Sequence, residues 1–377
     1  MVKKYQTLLI VFILLLIFSC GVNSNNVNIE VGDYPEDAET ILLQELSQPN
    51  DSLKLIAEID IFEGSKIPVG VIVDMEEIGD MLYFADSKHN VVHVIDKETL
   101  KYKTSIGGPG PDQLFKIFSL YVSDNNLLVG NSQGPNLLKT FSSNGDFLIS
   151  YPNNDPPLWF ISMEINGSFI SDSVTYVTNM FADKGRKIIR YDLRGGEANK
   201  IDEIVPVTDL HAELDSALSA KIITNMSVLK SNVLDSLFYV LPTNKYLINS
   251  YNMKGEKVSS IDLRGGIPQI NKAYSIMKKL PFSSLFMSAV IDDRDNIYFH
   301  VAEFEGVEVG DSADVMDAKI ANKKAKLSLV SVNLMDKTYR IFKTESRSVA
   351  PLKIIDDKLW CFDSMNSQLL VYQFPNK

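Results

Sequence analysis

Cysteine is nearly missing from this chain, with two residues in 377. That excludes a disulfide-stapled scaffold and a cysteine-built zinc module. Histidine is scarce too: four residues leave few ligands for a transition-metal cage. There is no basic surplus. Against 37 Lys and Arg stand 48 Asp and Glu, for a net charge of −11. Nothing is in excess to neutralise phosphates, so nucleic acid is excluded as a partner. No apolar run approaches the ~20 residues that a membrane-crossing helix needs. What is present is globular: 45% apolar, 23% charged and 10% aromatic residues, with 20 Gly and 15 Pro. These proportions exclude disordered, collagen-like and coiled-coil chains.

The amino terminus carries an address. Lys3 and Lys4 precede an apolar run, Leu8 to Phe18, whose length suits a signal-peptide core. The run ends Ile17-Phe18-Ser19-Cys20-Gly21, which resembles a bacterial lipobox, with Phe18 bulkier than the usual residue. The resemblance implies a signal peptide over 1–19, cleavage before Cys20, and lipid on its thiol and new amino group. Each buried methylene contributes roughly 0.8 kcal/mol, so two or more acyl chains anchor stably. Cys361 is then left without an intramolecular partner. Losing 1–19 takes the charge to −13, so lipid rather than basic charge holds the membrane. Residues 20–50 are polar and read as a lipidated tether, in which Asp37 to Ser47 has the spacing of a short helical turn. No acidic run follows Cys20. Such runs resemble the surface-export signal of some Bacteroidetes lipoproteins, so the expected position is the outer membrane, facing the periplasm.

From Leu53 onward, short apolar runs alternate with period two between turn residues, the signature of strands. They fall into fours. The first group is Val69–Val73, Met81–Ala85, Val91–Ile95 and Tyr102–Ile106. The second runs from Ile117 to Tyr151, the fourth from Met226 to Ile261, and the fifth from Met287 to Phe342. The third begins with Trp159–Ile165 and continues through Ser173–Thr178, Lys187–Tyr191 and Ala198–Ile201. The sixth has only Leu352–Ile355, Leu359–Phe362 and Leu369–Phe374. Hairpins repeat with the groups: Ser-Ser-Asn-Gly145, Leu-Arg-Gly-Gly196 and Asn-Met-Lys-Gly255 between third and fourth strands. Ser123-Asp-Asn-Asn126, Asp292-Asp-Arg-Asp-Asn296 and Asp356-Asp-Lys358 join first and second strands. Setting aside insertions at 207–225, 268–284 and 306–326 leaves about 45 residues per unit, the size of a four-stranded blade. Leu53–Phe62 is an orphan strand that completes the sixth group and closes the ring. The expectation over 51–377 is an all-β, six-bladed β-propeller.

With lipobox, tether and propeller carrying Ile106-Gly-Gly-Pro-Gly-Pro-Asp-Gln113, the chain resembles the six-bladed propeller lipoproteins of Bacteroidetes, themselves similar to TolB-like and NHL-like propellers. Their first blade often ends in Gly-x-Gly-Pro-Gly-Glu-Phe. Here Pro111-Asp112-Gln113-Leu114 replaces the end of that motif. The resemblance implies fold and location more than chemistry.

Gly107-Gly108-Pro109-Gly110-Pro111 is not a phosphate cradle, because two prolines remove donors and no Gly-Lys-Ser/Thr opens a helix. Asp292 to Asn296 spaces oxygens as a calcium loop does, without the later Gly and Glu, and coincides with a repeating hairpin. His89 and His93 fall on a strand pattern, where residues four apart lie about 13 Å apart and do not share a metal. No Gly-x-Ser-x-Gly elbow is present, and no catalytic residue is assigned. Some six-bladed propellers resembling lactonases hold calcium in the channel. Candidates here are Asp86, Asn131, Asn179 and Asp363, which follow second strands at matching positions, with Asp74 and Asp292 besides. A repeated Asp or Asn also suits a turn in which its side chain accepts backbone hydrogen bonds, and no cofactor is assigned. The insertion Thr208–Lys221 carries Leu210, Leu214 and Leu218 at helical spacing, and Ile270 to Leu280 follows a similar pattern. The functional expectation is a lipid-anchored binding scaffold for a protein, peptide or glycan. The alternative is a calcium-dependent, lactonase-like hydrolase or lyase in the channel.

Overall fold

The computed structural model describes residues 39–40, 43–47, 51–60, 67–108, 110, 112–131, 135–152, 168–178, 186–206, 226–242, 247–277, 289–303, 326–344, 349–363 and 366–375. The signal peptide, Cys20, Asn179, Trp159–Ile165 and the insertion 207–225 lie outside them.

The chain enters through β1 (Glu39–Thr40), β2 (Gln44–Glu45) and β3 (Lys54–Ile59). Blade 1 is β4 (Ile72–Ile78), β5 (Met81–Asp86), β6 (Val91–Asp96) and β7 (Tyr102–Ile106). Blade 2 is β8 (Ile117–Ser123), β9 (Asn126–Asn131), β10 (Asn136–Phe141) and β11 (Phe147–Pro152). Blade 3 is β12 (Ser168–Ser171), β13 (Val174–Thr178), β14 (Arg186–Asp192) and β15 (Asn199–Pro206). Blade 4 is β16 (Met226–Lys230), β17 (Leu237–Pro242), β18 (Leu247–Asn252) and β19 (Lys257–Asp262), followed by helix α1 (Pro268–Met277). Blade 5 is β20 (Ala289–Ile291), β21 (Asn296–Glu303), β22 (Lys326–Asn333) and β23 (Thr338–Lys343). Blade 6 is β24 (Val349–Ile355), β25 (Lys358–Asp363) and β26 (Gln368–Gln373), with β3 as its fourth strand.

Every pair within a blade is antiparallel and, apart from β26 with β3, consecutive, and the first strands of neighbouring blades pack together in cyclic order. Six blades therefore close a ring, and β3 pairs with β26 from Leu369↔Ile59 to Gln373↔Lys54, as the orphan-strand reading expects. The third blade corrects the sequence reading. Its first strand is Ser168–Ser171, which pairs with β13 across the two-residue turn at Asp172 and Ser173.

Burial follows from this stacking. Second and third strands are covered on both faces by neighbouring blades, so β5 and β6 are buried almost throughout, whereas rim strand β7 is largely exposed at its centre. Six apolar clusters among the described residues each fill one interface between consecutive blades. The turns between first and second strands hold paired left-handed residues, Asp124 and Asn125 (φ 49° and 60°) and Asp356 and Asp357 (φ 50° and 56°). That geometry matches the strand twist, and Asp and Asn tolerate it better than most residues. A bulge at Phe118 in β8 brings side chains so close to Gly130 that a Cβ there would lie 2.5 Å from Ser119 Oγ and 2.8 Å from Phe118 Cζ.

Polar ties repeat across the interfaces. Leu120 N donates to Asp74 Oδ2 (2.8 Å) between blades 1 and 2, and Ala289 N donates to Ser227 Oγ (2.8 Å) between blades 4 and 5. Tyr83 donates to Ser143 O (2.5 Å), and Tyr176 to Met253 O (3.1 Å), each reaching a hairpin of the following blade.

Within 37–47, where a helical turn is expected, the described residues 39–40 and 43–47 include no helix. Instead β1 pairs parallel with β19, and β2 pairs parallel with β23. These open rim edges offer backbone donors and acceptors that outweigh one helical turn. The segment continues as a strap: Leu46 N donates to Tyr339 O, Lys343 N to Asp51 O, and Leu53 N to Lys343 O. Arg340 clasps Asp51 through Nη2–Oδ1 (2.8 Å) and Nε–Oδ2 (3.3 Å). The helical reading of 270–280 is met by α1, whose Ile270 and Ala273 are buried in the cluster between blades 4 and 5.

Candidate functional site

Second strands end in the residues that the sequence marks as channel candidates, and the structure shows what they hold. Asp86 is fully buried. Its Oδ1 accepts from Val71 N (3.2 Å), Lys88 N (2.9 Å) and His89 N (3.1 Å), and its Oδ2 from Gly70 N (2.6 Å). Burial works against its charge, but hydrogen bonds from His93, His89, Gly70 and Val71 outweigh this and hold the carboxyl far below its usual range. Asn131 repeats the device in blade 2, where its Oδ1 accepts from Phe115 N (3.0 Å), two residues before β8, as Gly70 is two before β4. Asp363 accepts from Asn366 N (3.2 Å) and Asn366 Nδ2 (2.9 Å) in blade 6. These three carboxyl and amide groups pin the second-to-third-strand turn or the strand entering the blade. Their accepting oxygens face local donors rather than one another. Among the described residues no group of three or more His, Cys, Asp or Glu is placed to hold a metal ion. Asn179, the fourth candidate, lies outside the described residues. Asp292 likewise serves its own hairpin: Oδ1 accepts from Arg294 N and Asn296 N, and Oδ2 from Tyr298 Oη (3.0 Å).

The strand placement of His89 is corrected. His89 lies in the turn after β5, not on the strand, so its ring swings back to Asp86 Oδ2 (Nδ1, 2.9 Å). His93, on β6, reaches the same oxygen with Nε2 (3.4 Å), and its Nδ1 lies 3.2 Å from Ser105 Oγ on β7. Tyr102 Oη is 2.9 Å from that Oγ. No local motif spells this set, because Asp86, His93 and Ser105 come from three strands. The strand pairing His93↔Ser105 brings two of them together.

On the innermost strands, Asp74 of β4 is buried and accepts from Met75 N (2.8 Å) as well as Leu120 N. Desolvation, then repulsion from Glu76, pushes its carboxyl up to about 7. Glu76 is paired with Lys353 of β24 across the seam between blades 1 and 6. His300 on β21 is buried and held neutral, its pKa lowered by desolvation to about 4.

A cleft of about 360 Å³ opens between blades 5 and 6 on the face bearing the first-to-second-strand hairpins. Its floor includes Phe342, Ile354 and Phe374, and Phe374 meets Tyr298 (5.2 Å) and Phe342 (5.3 Å) ring to ring. Arg294, Asp336 and Asp357 stand exposed around it. Leu46 of the strap forms one wall, and Arg340, fixed by Asp51, lies with Cζ 5.1 Å from the Phe342 ring centre. Burial, then the Asp292 charge, drives the Tyr298 hydroxyl far above its usual pKa, so it stays protonated and donates. The cleft thus sets an apolar, aromatic floor inside a rim that carries both charges.

Ring closure, blade count and strand order define the class: a six-bladed β-propeller. No protein-family model matches the chain, and no curated protein matches it by sequence. Solved structures do. A member of the DUF4221 family from Bacteroides vulgatus is 16% identical, aligns 87% of this chain with 99% of its own, and has a TM-score of 0.52. A Bacteroides fragilis protein inferred to be exported is 11% identical, with 89% and 100% coverage and a TM-score of 0.55. The calcium-binding protein regucalcin from Agrobacterium tumefaciens gives 9% identity, 89% and 96% coverage, and a TM-score of 0.46. At these identities the likeness is one of fold.

Proposed function

We propose that this chain is a lipid-anchored recognition propeller of the bacterial envelope, of the TolB-like and NHL-like kind, which binds a peptide or glycan in the cleft between blades 5 and 6. The observation that carries the reading is the cleft itself: an aromatic floor within a rim of exposed Arg294, Asp336 and Asp357. A rigid ring holds such a surface without reordering, which lowers the entropic cost of binding. The lipobox at Cys20 supports attachment, and the lack of an acidic run after it supports a periplasm-facing outer-membrane position. No helix among the described residues is long and apolar enough to cross a membrane.

Two experiments test this. Labelled palmitate is expected on the full chain and in the membrane fraction, with both lost in Cys20→Ser. Label and membrane retention in that variant would remove the anchor. Peptide and glycan arrays probed with the Cys20→Ser chain are expected to give hits that Arg294→Glu abolishes. Hits unchanged by Arg294→Glu would place binding elsewhere on the molecule.

A further inference from the structure

We propose that Ser105, His93 and Asp86 form a serine-nucleophile centre on the rim of blade 1 that hydrolyses small carboxylic esters. Order and distances fit the chemistry of an activated hydroxyl. Asp86 is fully buried and accepts from four backbone N–H groups. That leaves it an anion, so the His93 Nε2 facing it at 3.4 Å is the protonated ring nitrogen, and Nδ1 is the free base. Nδ1 lies 3.2 Å from Ser105 Oγ, within reach of its proton. His93 itself is completely buried, with its ring edge-on to Tyr102 at 6.5 Å, so the base has one orientation. Ser105 is half-buried, which gives the nucleophile an approach that Asp86 and His93 lack. The other blades do not repeat the set. The Ser105 position recurs as Ser150 in blade 2 and Ser260 in blade 4, but the His93 position is Lys139 and Asn249 there and the Asp86 position is Asn131 and Pro242, so among these blades only blade 1 sets a histidine and a carboxylate behind the serine.

The chain turns through Gly107 (φ 95°) directly after β7, where a Cβ would lie 2.8 Å from Leu114 Cδ1, and opens at Gly108, where a Cβ would meet nothing within 4 Å. Ser105 Oγ attacks the ester carbonyl carbon while its proton passes to His93 Nδ1. The carbonyl π pair moves onto oxygen, where the Tyr102 hydroxyl, 2.9 Å from Oγ, is the side-chain donor at hand. The tetrahedral centre collapses, the C–O bond to the alcohol breaks, and His93 returns the proton to the leaving alkoxide. Water then attacks the acyl-serine with His93 as base again, releasing the acid and restoring Ser105. Asp86 acts through His93 and is a positioning residue.

The test uses the full-length chain in detergent with two probes, a fluorophosphonate and p-nitrophenyl acetate. Phosphonylation is expected on Ser105 in peptide mass spectra. Ester turnover is expected to fall by about 100-fold or more in Ser105→Ala and in His93→Gln. Ser105→Ala removes one half-buried hydroxyl, so its circular dichroism and Tm should match the parent and keep the comparison valid. An unlabelled Ser105 in folded protein, or equal ester turnover in parent and Ser105→Ala, would overturn the proposal and leave the relay a tie between strands.

Discussion

Asp74 is a carboxyl whose charge the fold disfavours. Its carboxyl bridges blades 1 and 2 from a buried position, and its pKa is raised from 3.8 to about 7 by desolvation and then Glu76. A group raised in the folded state contributes stability that is present below its unfolded pKa and lost as pH rises through the folded one. Denaturant midpoints of the parent are therefore expected to fall between about pH 4 and 7 through this residue. Asp74→Asn, which cannot ionise, flattens that slope. An unchanged slope in the variant would show that Asp74 does not titrate in this range. Asp86 is the opposite case: an anion that the fold wants. Asp86→Ala strands buried N–H groups and His93, and is expected to cost at least about 3 kcal/mol in chemical denaturation. A loss under about 1 kcal/mol would contradict the hydrogen-bond account. Repetition of Asp or Asn after the second strand made this turn-pinning role legible in the sequence. The convergence of His89 and His93 was not, because it depends on His89 leaving the strand and turning back.

Among elements, the strap sets the rim. β1 and β2 cover the open edges of blades 4 and 5, and β3 completes blade 6, so one stretch of chain from Glu39 to Ile59 ties three successive blades. Deleting residues 39–47 removes two short parallel pairings and bares two strand edges, which template association between chains. The deleted chain is expected to melt several degrees lower and to show concentration-dependent association in size-exclusion chromatography. A monomer with the parent's Tm would mean that the strap adds nothing to the ring. Period two and paired Asp or Asn turns were enough to place most strands. They failed at β12, where Trp159–Ile165 offered a stronger apolar pattern than Ser168–Ser171. The short turn at Asp172 and Ser173 fixed the pairing instead. They also failed at the strap, whose strands of two residues are too short to show any period.

As a whole molecule, the propeller was readable because each blade repeats the same physical problem: two strands buried on both faces, one at the channel, one at the rim. Closure followed from a missing strand at one end and a spare one at the other. The cleft was not readable. Its lining comes from Leu46 at one end of the chain to Phe374 at the other, and only the meeting of blades 5 and 6 assembles it. Asp86, Asn131 and Asp363, which the sequence offered as channel ligands, accept from backbone donors of their own blades, and the proposed recognition lies on the hairpin face. The most direct measurement of that placement is affinity for a ligand taken from the arrays, by calorimetry, in parent, Asp74→Asn and Arg294→Glu proteins. The account predicts parental affinity in the channel variant and at least about tenfold weaker binding, or 1.4 kcal/mol, in the cleft variant. Loss of binding in Asp74→Asn with Arg294→Glu unaffected would contradict it and put recognition in the channel.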